Sequence, residues 1–283
     1  MKPIVLSHFQ VTPIIDAWRA GKSAMTCSLD LGLTTGEVTL QADRVILPDG
    51  QGLAWDSLQT IVDNEVACFV IEDNALRKIQ FFSEQSNCLY SLMPTRAAPT
   101  MLISGLPMHR IKDTDPYQDT LTKIRAAAPI HGRVLDTATG LGYTAIEAAR
   151  TADEVITIEI DPAALQVARL NPWSQALFDN PKIHQISGDA FDEVQSFADA
   201  SFSRIIHDPP MFSLAGDLYS AEFYRQLYRV LKSNGRVFHY IGDLDSSSGQ
   251  RVSKGVIRRL QDAGFAKIVR RPEAFGVLAY KSR

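Results

Sequence analysis

Two short segments carry residue types whose spacing could do chemistry together. The first is Val134-Leu135-Asp136-Thr137-Ala138-Thr139-Gly140-Leu141-Gly142-Tyr143-Thr144, which reads as a strand, a small-residue turn and a helix start. Helix starts carry unpaired N–H groups and a partial positive charge, and glycine lets the backbone pass close to a ligand. Such a turn can hold a nucleotide-like cofactor, although a helix-packing turn leaves the same trace. The second segment is Asp208-Pro209-Pro210-Met211-Phe212. Asp208 and the carbonyl of Pro209, which proline presents rigidly, can each accept an N–H. Phe212 can stack on a flat group. Two prolines that merely end a strand are the plain alternative.

Glu159 strengthens the first segment. It closes the apolar, β-branched run Glu154-Val155-Ile156-Thr157-Ile158-Glu159. A second strand ending in an acid about 20 residues after a glycine turn is the arrangement that accepts both ribose hydroxyls. Asp161 precedes Pro162 and reads as the N-cap of the next helix.

These residues need elements to position them. A third strand, Lys182 to Ser187, runs into Gly188-Asp189-Ala190, and a fourth, Ser203 to His207, runs into Asp208. Four strands therefore end in polar or glycine-bearing loops, each followed by a helical stretch. Ligands of open α/β sheets bind outside the carboxyl ends of the strands, so all four loops would share one edge. Ala221 to Leu231 has Phe223, Leu227, Val230 and Leu231 on one helical face. Gly235 sits near the left-handed cap position that would end it. Arg236 to Ile241 reads as strand five and Val252 to Ala263 as a helix. Ala266 to Arg270 and Phe275 to Tyr280 are joined only by Arg271-Pro272-Glu273-Ala274, too short for a crossover, so these last strands are antiparallel. The alternation of helix and strand makes the rest of the sheet mostly parallel.

The preceding residues read differently. A short helix from Thr12-Pro13 to Arg19 is followed by strand-like runs at Met25–Leu29, Glu37–Gln41, Arg44–Leu47, Val66–Glu72, Arg77–Phe82 and Cys88–Leu92. Ala54 to Val62 reads as a helix, and Asp73-Asn74 suits a tight hairpin. Met93 to Pro99 looks like a linker out of this part. The expected division is a small β-rich N-terminal domain over residues 1–104 and an α/β domain over 105–283.

Composition narrows the functional classes. The net charge of −3 argues against a broad basic nucleic-acid surface and leaves room for a local patch. Cys27, Cys68 and Cys88 lack metal-like spacing and lie in apolar surroundings, which predicts reduced thiols in a cytoplasmic protein and no metal site. No apolar run has the length of a membrane span, and the first residues lack the zones of a secretory signal.

Residues 117–283 resemble the class I S-adenosylmethionine (SAM)-dependent methyltransferases. The glycine loop, the acid after strand two, Gly188-Asp189 after strand three and Asp208-Pro209-Pro210-Met211-Phe212 after strand four follow that family's order and spacing. The resemblance implies a seven-stranded sheet with one reversed strand and SAM as cofactor. Asp136, Gly140 and Gly142 would surround its methionine part, with Thr139 in the same set. Glu159 would hold the ribose, and Asp189 would accept the adenine amino proton. Ala138 stands where the family has its first glycine, a small residue in the same place. Asp208 to Ser220, Met108-His109-Arg110 and Thr114-Asp115-Pro116 are also similar to a predicted, largely uncharacterised group of methyltransferases known mostly from archaea, which brings no substrate with it.

Asp/Asn-Pro-Pro-aromatic is typical of family members that methylate nitrogen. The aromatic here comes one place later, at Phe212, as in some ribosomal-RNA methyltransferases with other target atoms. The reading is methyl transfer to a planar or amine acceptor, leaning to a nucleobase of RNA or DNA, with Asp208, Pro209, Pro210 and Phe212 on the acceptor side. The alternatives are a small-molecule amine acceptor, aminopropyl transfer as in spermidine synthases, and a SAM-binding module without catalysis. The Gly-Gly-x-Asp-Gly loop usual in spermidine synthases is absent from 136–142. Most other polar residues read as structural: His207 and His239 as packing, Tyr219, Tyr224 and Tyr228 as core, Arg258-Arg259 as a solvated face, and Asp243 and Asp245 as a polar loop. His109 with Arg110 and Lys112 could bind an anion or cap a loop.

Overall fold

A computed structural model describes residues 3–211 and 215–282. They gather into two compact units, Met1–Tyr117 with Ala163–Gln175, and Gln118–Pro162 with Ala176–Arg283.

The first unit is β-rich. Ile4–Leu6, Phe69–Glu72 and Ala75–Lys78 form one antiparallel sheet. Ala24–Cys27, Gly36–Leu40, Arg44–Ile46 and Gly52–Ala54 form a second, and Gln80–Ser83, Cys88–Met93, Thr100–Ile103 and Leu106–Pro107 a third. Helices His8–Arg19 and Trp55–Val62 add Val11, Ile14, Leu58 and Ile61 to a core that also holds Leu6, Val38, Val45, Leu53 and Phe69. The Asp73-Asn74 hairpin is present, with both residues at positive φ, the backbone twist that a two-residue hairpin turn requires.

Three local expectations are corrected here. The first helix begins at His8, with Gln10 Oε1 accepting from Ser7 N, and Pro13 lies inside it. The run Arg77–Phe82 is two strands in different sheets, broken at buried Ile79, whose N–H donates to Cys68 O while its carbonyl accepts from Leu92 N. Met93 to Pro99 is not an exit linker. It turns the chain back so that Thr100–Ile103 pairs antiparallel with Cys88–Met93.

The second unit is built on one seven-stranded sheet. Its strands are β1 (Arg133–Asp136), β2 (Glu154–Glu159), β3 (Ile183–Ser187), β4 (Phe202–His207), β5 (Leu231–Tyr240), β6 (Lys267–Arg271) and β7 (Gly276–Tyr280). Their order is β3-β2-β1-β4-β5-β7-β6. β7 alone is reversed, pairing antiparallel with β5 and β6. This is the expected α/β architecture. Leu135, Ile156, Ile205, Val237 and Val277 form its buried layer, covered by Phe223, Leu227, Val256 and Leu260 from the helices Ala221–Val230 and Ser247–Asp262. The parallel strands read as near-continuous apolar runs because both faces are covered.

The sequence reading of Gly235 is also revised. β5 starts at Leu231, and the left-handed residue is Asn234, at φ 59°. A Cβ on Gly235 would lie 2.6 Å from the Leu231 side chain and 2.7 Å from Lys232 O, so glycine is needed there for room. The register between β4 and β5 shifts at the same place. The last long helix starts at Ser247, earlier than its apolar pattern begins. Ser246 caps it, accepting from Gly249 N at 3.0 Å.

Candidate active site

Pairing register brings the carboxyl ends of β1 to β4 to one edge. Asp136 pairs with Thr157 and Ile206, and Glu159 with Ser187. Asp136 is fully buried at the end of β1. Its Oδ2 accepts from the hydroxyls of Thr144 at 3.0 Å and Thr157 at 3.1 Å, while Oδ1 has no partner among the described residues. Burial pushes its carboxyl up to about 7, and the Asp208 charge adds to that push.

The glycine turn follows. Thr139 is held inward, its hydroxyl 2.7 Å from that of Thr157 and its N–H donating to Ile158 O. Gly140 and Gly142 have φ of 52° and 77°, where a Cβ is penalised. Glu159 closes this turn. Oε2 accepts from Gly140 N at 2.8 Å and Oε1 from Asp161 N at 3.1 Å. Burial raises its carboxyl, and these backbone donors oppose the rise. Each carboxylate oxygen has two lone pairs, so both keep capacity for a ligand hydroxyl. Asp189 is exposed one strand further on, its Oδ1 accepting from Phe191 N at 2.8 Å as the N-cap of Ala190–Ser196. Gly188 N donates to Glu159 O and ties the two strand ends together.

Asp208 ends β4 and is one-fifth exposed (19%). Pro209 is buried, and the Pro210 carbonyl accepts from Tyr219 Oη at 3.0 Å, so it is already engaged. Phe212 lies outside the described residues.

A family model described as a methyltransferase domain matches residues 131–254. An uncharacterised protein of Methanocaldococcus jannaschii is 44% identical over 262 residues, covering 90% of this chain and 89% of that protein. The chain belongs to one family with that protein, and its residues 131–254 match a methyltransferase domain. A polyamine aminopropyltransferase of Streptomyces coelicolor is 30% identical over 154 residues, 52% of this chain and 28% of that protein. A spermidine synthase structure from Thermotoga maritima matches with a TM-score of 0.57 at 18% identity, covering 74% of this chain and 76% of that one; the likeness is one of fold.

Sequence reasoning missed one residue of this edge. Lys123, on the helix Pro116–Ala127, is 2% exposed and places Nζ 2.7 Å from Asp208 Oδ2 and 2.8 Å from Asp119 Oδ2. The ring of Tyr240 lies 4.3 Å from Nζ. An Asp and a Lys four apart on a helix read as an exposed pair worth little, which is why the sequence hid it.

Two histidines are buried and held neutral by their surroundings. His207 is fully buried, with Nδ1 2.7 Å from Thr137 Oγ1 and Nε2 2.9 Å from Leu218 O. A carbonyl cannot donate, so Nε2 carries the proton and Nδ1 accepts from the hydroxyl. Burial pushes its pKa down to about 3. His239, also buried and kept neutral, pairs through Nε2 with Tyr224 Oη at 2.8 Å. Tyr219 and Tyr224 are core, while Tyr228 packs against Phe265 at their edge. The arginine pair divides: Arg258 is exposed, but Arg259 is half-buried and its charge reaches Tyr224. Asp243 accepts from Asp245 N, and Asp245 pairs with Arg270 at 3.3 Å, as a polar loop would. His109, in the first unit, is tied to Thr100 at 3.0 Å. Among the described residues no three His, Cys, Asp or Glu group to hold a metal, and no helix is long and apolar enough to cross a membrane.

Proposed function

We propose that this chain is a SAM-dependent methyltransferase that transfers the methyl group to a planar or amine acceptor, with a nucleobase of RNA or DNA as the leading class. One observation carries the reading: the edge that gathers Asp136, Glu159 and Asp189 also holds Asp208. Asp136 supports the cofactor assignment, because a buried carboxylate oxygen without a partner is costly unless a ligand donor reaches it. The ammonium of SAM has that chemistry. Gly140 and Gly142 leave two positions of the turn without side chains, and Glu159 would offer acceptors to two ribose hydroxyls and Asp189 one to the adenine amino group.

When bound, SAM supplies a methyl group on a cationic sulfur. The chain's part is positioning and electrostatics. Asp208 and the Pro209 carbonyl would each accept an N–H of the acceptor and direct the nitrogen lone pair. Phe212 would stack on a flat acceptor, and Pro210, with its carbonyl fixed by Tyr219, would hold the segment in shape. The β-rich residues 1–104 would present the acceptor or join copies, and the cysteines fit a reducing cytoplasm.

Aminopropyl transfer to an amine is the second reading, favoured by the similarity to the Streptomyces enzyme. The absence of an acid within Ala138-Thr139-Gly140-Leu141-Gly142 speaks against it. Calorimetry with SAM and with decarboxylated SAM separates the two. The methyltransferase reading expects SAM to bind more tightly, and decarboxylated SAM binding more tightly selects the second. Mass spectrometry of RNA and small amines from a deletion strain identifies the acceptor. Asp208→Asn is expected to keep SAM affinity while turnover falls about 100-fold or more; wild-type turnover would refute the role of Asp208.

A further inference from the structure

We propose that Lys123 is the positioning residue of this site: its ammonium holds the Asp208 carboxylate in one orientation and as an anion, and Asp119 holds Lys123 in turn. The inference rests on the transfer reading above and deepens it. The helix Pro116–Ala127 carries Asp119 and Lys123 on one face, four residues apart. Asp119 is fully buried and Lys123 nearly so, while Asp208 remains 19% exposed at the outer end of the row. The order of charges, from the interior to the rim, is therefore carboxylate, ammonium, carboxylate.

Burying an ammonium costs several kcal/mol unless it is paired. A lysine serving only to fill this space would be replaced without loss by an apolar side chain. Here the ammonium contacts both carboxylates and the Tyr240 ring. It occupies only Oδ2 of Asp208, and among the described residues no hydrogen bond reaches Oδ1. One oxygen is thus fixed and the other remains for an acceptor N–H.

Acidic and neutral polar groups surround Lys123. Besides Asp119 within the row, Asp136 from β1, Tyr219 from the turn Gly216–Tyr219 and Tyr240 from β5 lie near it, and His207 and His239 are neutral. Burial pushes the Asp208 carboxyl up and Asp119 adds to this, while Lys123 pulls it back. The Lys123 ammonium itself stays charged, because its carboxylate partners outweigh its burial.

The experiment is a carbon-13 carboxyl titration by NMR, with the Asp208 signal assigned by its loss in Asp208→Asn. Lys123→Met should raise the Asp208 pKa by about 1–3 pH units. The acid limb of kcat should move by the same amount, with SAM affinity unchanged by calorimetry. Lys123→Arg should restore the limb. Because Lys123→Met leaves Asp119 buried without its cation, Asp119→Asn/Lys123→Met provides the same test in a chain free of that burden. An unmoved Asp208 titration in both variants overturns the proposal. A moved titration with an unmoved kcat limb also overturns it, leaving a merely structural ion pair. Failure of the transfer reading is separate: it is wild-type turnover in Asp208→Asn, which the NMR titration does not depend on.

Discussion

Asp136 and Glu159 have opposite problems as carboxylates. Both oxygens of Glu159 have a backbone donor, whereas Asp136 has one oxygen held by two threonines and one with no partner among the described residues. The consequence for Asp136 is a carboxyl raised from 3.8 to about 7. A raised carboxyl contributes stability while it is protonated, and that contribution is lost as pH rises from about 4 towards about 7. Asp136→Asn should therefore flatten the pH dependence of unfolding free energy in that window, as read by urea melts. A cationic ligand group prefers the anion, so SAM affinity of the wild-type chain should increase as pH passes about 7 and release a proton below it, measurable by calorimetry in buffers of different ionisation enthalpy. For Glu159, charged hydrogen bonds are worth about 1.5–3 kcal/mol each. Glu159→Ala should weaken SAM binding by at least about tenfold, and unchanged affinity would remove Glu159 from the ribose role. Glu159 was visible in the sequence because strand, acid and distance from the turn are all local. Lys123 was not, since its partner Asp208 lies 85 residues away.

The glycine turn and the strand ends behave as elements with their own requirements. Gly142 has φ 77°, and a Cβ there would come within 2.7–3.0 Å of the Leu177 side chain. Left-handed backbone costs a non-glycine residue about 1–2 kcal/mol, and the contact adds to it. Gly142→Ala should lower the thermal midpoint and weaken SAM binding together, by thermal melts with and without SAM. A midpoint unchanged from wild type would mean that the turn tolerates a Cβ at this position. Gly142 was legible because small residues crowd the turn. Gly235 was legible as a special position but for the wrong reason, because the crowding by Leu231 belongs to a register shift that local pattern does not encode. The break at Ile79 has the same origin: the run is uniformly strand-like, and only its pairing with Cys68 on one side and Leu92 on the other divides it between two sheets.

At the level of the whole molecule, the first unit is not one continuous stretch. Residues 163–175 gather with residues 1–117. Trp173 Nε1 donates to Leu31 O at 3.1 Å, and its ring lies 5.5 Å from that of Tyr117. A chain beginning at residue 105 would lose the Leu31 partner and leave part of this unit without its packing. Such a chain should unfold with a broader thermal transition than the full chain and bind a hydrophobic dye; a sharp, dye-free transition would contradict this. The strands of the seven-stranded sheet, the antiparallel pairing of its last two, the glycine turn and the shared edge of Asp136, Glu159, Asp189 and Asp208 followed from the order of residues, because backbone conformation and crossover length are governed by near neighbours. The burial of Lys123 between Asp119 and Asp208, the inward hold on Thr139 and the occupied carbonyl of Pro210 required the packed chain. Lys123 meets Asp208 only across 85 residues of chain, Thr139 and Pro210 are held by groups 18 and 9 residues further on, and burial is a property of the surroundings rather than of the side chain.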